Sequence, residues 1–250
     1  MINSRRTFIK SAAIGSIAGL LVPEIVSAAK TPSKQGKITL QDNDIILFQG
    51  DSITDSGRQK NNAEKNNNSA LGNGYALLTA ARLLQKYPEK NLSIYNRGIS
   101  GNKVYQLAER WEDDCLNLKP TILSILIGVN DFWHTLTGGY KGTVTTYKND
   151  FEALLDKTKQ KLPNVKLIIG QPFALTGVKA VDSSWFPAFT DYQNSAREIA
   201  DKYQAHYIPY QKIFDQAAKT GSPSYWTGDG VHPSLAGGQL MAESWLDLIK

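Results

Sequence analysis

Ile45-Ile46-Leu47-Phe48-Gln49-Gly50-Asp51-Ser52-Ile53-Thr54-Asp55 is an apolar run that halts at a glycine and then presents an aspartate and a serine. A continuous apolar run bounded in this way reads as a strand buried on both faces, the signature of a parallel sheet. Such a strand delivers the residues after it to the carboxyl edge of the sheet, where open α/β folds hold their ligands. Ser52 is therefore expected where chemistry is done. Gly, Asp and Ser are also turn formers, so this stretch alone is equally an ordinary strand-to-turn junction. The rest of the chain decides.

Outward from this strand, apolar runs and amphipathic segments alternate. Lys30 to Asp44, with Pro32 and Gly36, reads as a polar tether. Arg58 to Gly74 has no periodicity and is expected to be a long loop, its Asn-rich part from Asn61 to Asn68 bordering the entrance to the site. Tyr75 to Tyr87 is spaced as a helix that Pro88 stops. Leu92 to Asn96 is a second strand, and a Gly-rich turn through Gly98 and Gly101 leads to a helix with inner face Val104, Leu107, Ala108, Trp111 and Cys115. Ile122 to Ile127 is the clearest buried strand. A helix follows with Tyr147, Phe151, Leu154, Leu155 and Leu162 apolar, and Val165 to Gly170 is a fourth strand. After a loop with Trp185, Phe186 and Phe189 come a helix over Tyr192 to Tyr203, a short strand at Tyr207 to Pro209, and a helix over Ile213 to Ala218. The segment from Ser234 to Lys250 closes the chain as a helix with Leu235, Met241, Trp245, Leu246 and Ile249 apolar. The alternation predicts one domain, a three-layer α/β/α sandwich around a parallel sheet.

Before this domain, Ser4-Arg5-Arg6-Thr7-Phe8-Ile9-Lys10, an apolar run to Pro23 and the small residues Ser27-Ala28-Ala29 have the form of a twin-arginine export signal. The apolar run falls short of the ~20 residues that span a bilayer, so cleavage after residue 28 or 29 is expected rather than a lasting membrane anchor. Export to the periplasm or the medium follows from that reading. Losing residues 1–29 removes three basic residues and one acidic residue from totals of 28 and 23, so the net charge falls from +5 to +3. The remaining charges are interspersed, which gives no footprint for nucleic acid. With Cys115 as the one cysteine no intrachain disulfide forms, and with three scattered histidines neither a metal site nor a cofactor is expected.

Four loops that follow expected strands carry Ser52, Gly101, Asn130 and the pair Asp229 and His232. Acyl transfer needs a nucleophile, a base, a group that fixes the base, and donors for the oxyanion. Ser52 fits the first role, His232 the second and Asp229 the third. The N–H groups of Ser52 and Gly101 and the Asn130 side chain fit the fourth. Asp51, Trp133, His134 and Trp226 are candidates to line the substrate, the tryptophans as faces for a sugar ring. Asp51 is read more as a brace for the turn, and His206 as structural. The competing bland reading has Asp229 capping the last helix and His232 on the surface.

Gly50-Asp51-Ser52-Ile53, Gly98-Ile99-Ser100-Gly101-Asn102, Gly128-Val129-Asn130-Asp131 and Asp229-Gly230-Val231-His232-Pro233 together resemble, in order, the four blocks of the SGNH hydrolases, the GDSL esterase/lipase superfamily. Gly50 to Arg58, Asn96 to Val104, Arg110-Trp111 with Lys119-Pro120, and Ile125 to Trp133 resemble its acetylxylan-esterase-like, carbohydrate-deacetylating branch. The resemblance implies a flavodoxin-like, five-stranded SGNH hydrolase fold, a triad of Ser52, Asp229 and His232, and oxyanion donors from Ser52, Gly101 and Asn130. It implies a serine esterase acting on acetyl groups of carbohydrates or other small esters. Position 53 is Ile where the superfamily's short name has Leu.

A nucleophile-elbow α/β-hydrolase needs Gly two residues after the serine, where this chain has Thr54. A lipase or lysophospholipase of the same superfamily, a carbohydrate O-acetyltransferase and a non-catalytic glycan-binding module remain open. Loops rich in Asn, Gly and Thr favour a short acyl group on a polar carrier.

Overall fold

In the computed structural model, residues 36–250 are described. The export signal expected over residues 1–29 lies outside them. Five strands form one sheet: β1 (Ile45–Gly50), β2 (Ser93–Asn96), β3 (Ile122–Leu126), β4 (Lys166–Gly170) and β5 (His206–Ile208). All neighbours are parallel and the spatial order is β2-β1-β3-β4-β5, the flavodoxin-like arrangement. The chain goes from β1 to one side and returns to the other, so the topological switch falls between β1 and β3. Open α/β sheets hold their ligands at such a point, beyond the carboxyl ends of the strands, and both strands lead directly into loops of the candidate site.

The helices are α1 (Ser52–Asp55), α2 (Asn68–Leu71), α3 (Tyr75–Lys86), α4 (Val104–Glu109), α5 (Trp111–Asp114), α6 (Val129–Thr137), α7 (Val144–Lys161), α8 (Ala188–Lys202), α9 (Tyr210–Ala217), α10 (Pro223–Trp226) and α11 (Leu235–Leu246). Helices α3 and α11 pack together, as do α4, α7 and α8. Phe48 of β1 meets Tyr75 of α3 and Trp245 of α11 at centroid distances of 5.6 and 5.4 Å. Two of the buried indoles have their N–H groups satisfied across the core, Trp245 on Ser124 Oγ at 3.1 Å and Trp111 on Thr158 Oγ1 at 2.9 Å. Each such bond contributes about 1 kcal/mol, and leaving the donor unpaired would cost more. Among the described residues no helix is long and apolar enough to cross a membrane.

The structure departs from the sequence reading where distant backbone or side chains intervene. The tether expected to run to Asp44 is part of the domain from Ile38 onward: Ile38 donates to Leu248 O at 2.7 Å and accepts from Lys250 N at 3.0 Å, and Leu40 is buried. The same pairing draws the chain out of α11 after Leu246, short of the expected Lys250. Leu235 is 79 % exposed in the first turn of that helix. The helix expected from Val104 to Cys115 is two pieces hinged at Arg110, whose guanidinium is tied to Asn102, Arg97 O, Gln49 and Asp114; Ala108 faces solvent as a result. Pro209 lies beyond β5 as the cap of α9, which starts at Tyr210 rather than Ile213, and Phe189 is inside α8.

The Asn-rich loop covers the free edge of β2. Asn66 N donates to Ile94 O at 3.0 Å, its Oδ1 accepts from Ile94 N at 2.8 Å, and Lys65 Nζ reaches Ser93 Oγ at 3.0 Å. Covering an edge in this way removes a template for pairing with another chain. Asn67 then caps α2, accepting from Ser69 N and Ala70 N.

Candidate active site

Ser52 opens α1 immediately after β1. Asp51 caps that helix, its Oδ1 accepting the Ile53 N–H at 2.9 Å, a contact of a kind that contributes about 1 kcal/mol. The turn admits only glycine at position 50: a Cβ there would stand 2.2 Å from the Leu126 carbonyl oxygen and 2.5 Å from Thr54 Oγ1. The absence of a side chain lets α1 start tight against the end of β3. As the first residue of a helix, Ser52 carries an N–H that the helix itself cannot bond.

His232 and Asp229 arrive from the other end of the chain. Ser52 Oγ and His232 Nε2 are 2.7 Å apart, and His232 Nδ1 and Asp229 Oδ2 are 2.7 Å apart. With Asp229 ionised, the proton between them belongs on Nδ1, which leaves Nε2 to accept the Ser52 hydroxyl proton. Asp229 Oδ1 accepts the N–H groups of Val231 and His232 at 2.9 and 2.8 Å. Burial would raise its carboxyl, but the His232 backbone and ring and the Val231 N–H outweigh that and hold it below the ordinary carboxylate value. The loop is clamped by Gly228 N on His232 O at 2.8 Å and Ser234 N on Trp226 O at 2.9 Å. Gly230, at φ +99°, has no room for a Cβ, which would lie 2.6 Å from Val181 Cγ2 and 2.7 Å from Leu175 O.

The remaining two loops are stitched to the first. Ile99 N donates to Gly50 O at 3.1 Å, and Ser100 donates through N and Oγ to Asp55 Oδ2 at 2.9 and 2.7 Å. Burial would raise the Asp55 carboxyl; Ser100 and Lys60 overcome it and lower the pKa. Asn96 Nδ2 holds Thr54 O and Leu71 O at 2.6 and 2.8 Å, while its Oδ1 accepts from Gly98 N at 2.8 Å. Asn130, 4 % exposed in the first turn of α6, donates one amide hydrogen to Asn102 O at 3.2 Å and keeps the other. Asn102 is anchored in turn by Arg110 Nε at 2.9 Å. Gly101, next to Asn102, thus shares one hydrogen-bonded unit with Asn130 and the Ser52 turn.

Of the expected lining residues, Trp133 is half-buried with its ring 6.3 Å from the His232 ring, and His134 is half-buried beside Lys103. Asp51 and Trp226 do not line the site. Asp51 is 1 % exposed beneath α1, where burial pushes its carboxyl up to about 7, and Trp226 is 6 % exposed under the His232 loop. His206 is buried in β5, in keeping with a structural role. The supporting roles of Asp55, Asn96, Gln49 and Arg110 were not assigned from the sequence, although all four lie in the stretches quoted from it. The one local signal was a second carboxylate three positions after Ser52.

A family model described as GDSL-like lipase/acylhydrolase matches residues 48–240. Among curated proteins, the acetylxylan esterase of Geobacillus stearothermophilus is 34 % identical over 203 residues, covering 80 % of this chain and 91 % of the esterase. Among solved structures, a GDSL-like lipase from Parabacteroides merdae is 52 % identical with a TM-score of 0.83, covering 85 % of this chain and 98 % of its own. The solved Geobacillus esterase gives 31 % identity and a TM-score of 0.75 over 84 % of this chain and 96 % of its own. Three more structures of that esterase are catalytic mutants with alanine in place of a serine, an aspartate, and a histidine three positions after the aspartate.

Proposed function

The chain belongs to the GDSL-like lipase/acylhydrolase family and is a carboxylic ester hydrolase, and from that premise we propose that it removes acetyl groups from carbohydrate hydroxyls through an acyl-enzyme on Ser52. The relay of two 2.7 Å contacts from Ser52 through His232 to Asp229 carries the mechanism. In this reading Ser52 Oγ attacks the ester carbonyl while His232 Nε2 takes its proton. Asp229 holds the imidazole in the tautomer that can accept it and steadies the imidazolium that forms. The Ser52 and Gly101 N–H groups and the free Asn130 amide hydrogen face the oxyanion. His232 then protonates the departing sugar oxygen, the acetyl stays on Ser52, and a water activated by the same imidazole releases acetate.

The acetyl and carbohydrate parts draw support from the likeness to the Geobacillus acetylxylan esterase and from the half-buried Trp133 beside His232, an aromatic face available to a sugar ring. A longer acyl chain is the second reading. The feature that favours it is a cleft lined by Ile53, Tyr75, Leu78, Pro233 and Leu235 together with the polar Ser56, Asn73 and Ser234, adjoining Ser52 and His232 in sequence, with Leu235 79 % exposed at its rim.

A series of 4-nitrophenyl esters separates the two readings. The expected kcat/KM falls steeply from acetate to octanoate, and acetate is released from acetylated xylooligosaccharides. Activity that holds or rises with chain length would overturn the acetyl assignment in favour of the lipase reading.

A further inference from the structure

Lys103 follows the Gly101-Asn102 turn and is only 7 % exposed, yet it makes no ion pair with a carboxylate among the described residues. Its Nζ lies 3.2 Å from His134 Nδ1 and sits over the rings of Tyr105 and Tyr140, 5.5 and 5.3 Å from their centroids. The two rings stack on each other at 6.0 Å. Asp131 is the nearby acid: its Oδ1 accepts the Val104 N–H, its buried Oδ2 makes no hydrogen bond, to Lys103 or otherwise, and burial outweighs the pull of Lys103 and pushes the carboxyl up to about 7, so it neutralises Lys103 only in part. An ammonium withdrawn from water is costly unless an opposite charge meets it. Aromatic faces alone offset little of that cost.

The cluster lies on the flank of the candidate site. Lys103 is two residues from Gly101, and His134 is one helical turn beyond Asn130 on α6, next to Trp133. Burial and the charge of Lys103 keep the His134 pKa below its ordinary value, so its Nδ1 accepts from the ammonium and its proton resides on Nε2. A carboxylate reaching the half-buried His134 would meet its Nε2–H and, beside it, the Lys103 ammonium. Beside them is the Tyr105 ring, 38 % exposed. Two donors from one lysine and one histidine suit the two oxygens of a carboxylate, and a flat exposed ring suits the apolar face of a sugar.

We propose that Lys103, His134 and Tyr105 form a carboxylate subsite beside Ser52, which selects acetylated saccharides carrying an acidic sugar at or next to the esterified residue. This rests on the esterase reading above and names its substrate class. The carboxylate has two sources, a uronic acid within an acetylated chain and an O-acetylated sialic acid.

The test compares kcat/KM for acetate release from size-matched acetylated xylooligosaccharides with and without a glucuronic acid branch, from an acetylated oligogalacturonide, and from O-acetyl sialic acid. The full-length protein is compared with Lys103→Met, which keeps the aliphatic stem, and Lys103→Arg, which keeps the charge. The parent is expected to favour the acidic xylooligosaccharide by about tenfold, mainly through KM, as one charged hydrogen bond would give. Lys103→Met brings the acidic-to-neutral ratio close to one, and Lys103→Arg restores most of it. Sialic acid preferred over both uronates would place the carboxylate on the esterified sugar itself. Equal rates of the parent on acidic and neutral substrates, or a Lys103→Met loss equal on both in a protein with an unchanged melting curve, would overturn the subsite. If the parent fails on 4-nitrophenyl acetate, the esterase reading falls first and the subsite with it.

Discussion

The two halves of the candidate site are built in opposite ways. The Ser52 turn is sunk into the domain: Asp51, Thr54 and Asp55 around it are almost wholly buried, and its shape is fixed by β1, β3 and the Gly98 loop. The Asp229–His232 loop stands nearer the surface, with side chains 28 and 42 % exposed; it is shaped by its own hydrogen bonds, by Gly230, and by Leu175 N on Gly230 O at 2.8 Å and Ala180 N on Asp229 O at 2.9 Å. Hence the nucleophile's position is set by the sheet, whereas the base is carried on a short loop held by its own bonds and by the segment after β4, reaching the serine across 180 residues of sequence. Changes in the first half are expected to disturb stability together with activity, and changes in the second to disturb activity with little effect on stability.

The largest separation of the two effects is expected at Asp229. In Asp229→Asn the amide keeps an oxygen for the Val231 and His232 N–H groups but favours the wrong imidazole tautomer. A fall in kcat of about 10⁴ with an almost unchanged melting temperature is expected. A large loss of melting temperature would mean that the loop is part of the domain's structural frame and would erase the contrast. Asn130→Ala comes next, with a kcat loss on the order of 10²–10³ if its free amide hydrogen meets the oxyanion. Because the same amide also ties α6 to Asn102 O, a small loss of stability is expected alongside it. An unchanged kcat would remove Asn130 from the proposed oxyanion donors.

The smallest effect concerns Asp51 and is read in stability alone. Burial raises its folded pKa from 3.8 to about 7, so between these values the folded protein holds a proton that the unfolded chain has lost. Stability from this group is therefore greatest in acid and declines as pH rises toward neutrality. Asp51→Asn keeps a capping oxygen and does not titrate. Its melting temperature relative to the parent is expected to improve from about pH 5 to about pH 8. A difference independent of pH would show that Asp51 is ionised in the folded protein, and that the Ser52 turn is less dry than its burial implies.

The same contrast explains what could be read from the sequence. Strands β1, β3 and β4 were legible because a parallel strand covered on both faces is a plain apolar run, and the loops after β1 and β3 carried motif residues. The ends of elements were not, since Arg110 breaks a helical pattern through partners at Gln49 and Arg97, and Ile38 ends α11 from the far terminus of the domain. Ser52, Asp229 and His232 could be named from local motifs. Asp55, Asn96 and Lys103 act through contacts with Ser100, Thr54 and His134, 31 to 45 positions away, for which no local pattern exists. Trp226 shows the opposite error: its proximity in sequence to Asp229 suggested a lining role, whereas the turn after α10 folds it beneath the loop.

The most direct test of Ser52 as nucleophile is covalent trapping. The protein is treated with a fluorophosphonate that phosphonylates activated serines, and the modified peptide is mapped by mass spectrometry. One adduct per chain on Ser52, absent in Ser52→Ala and strongly slowed in Asp229→Asn, is the expected result. Stoichiometric labelling at another residue, or undiminished acetate release by Ser52→Ala, would contradict an acyl-enzyme on Ser52.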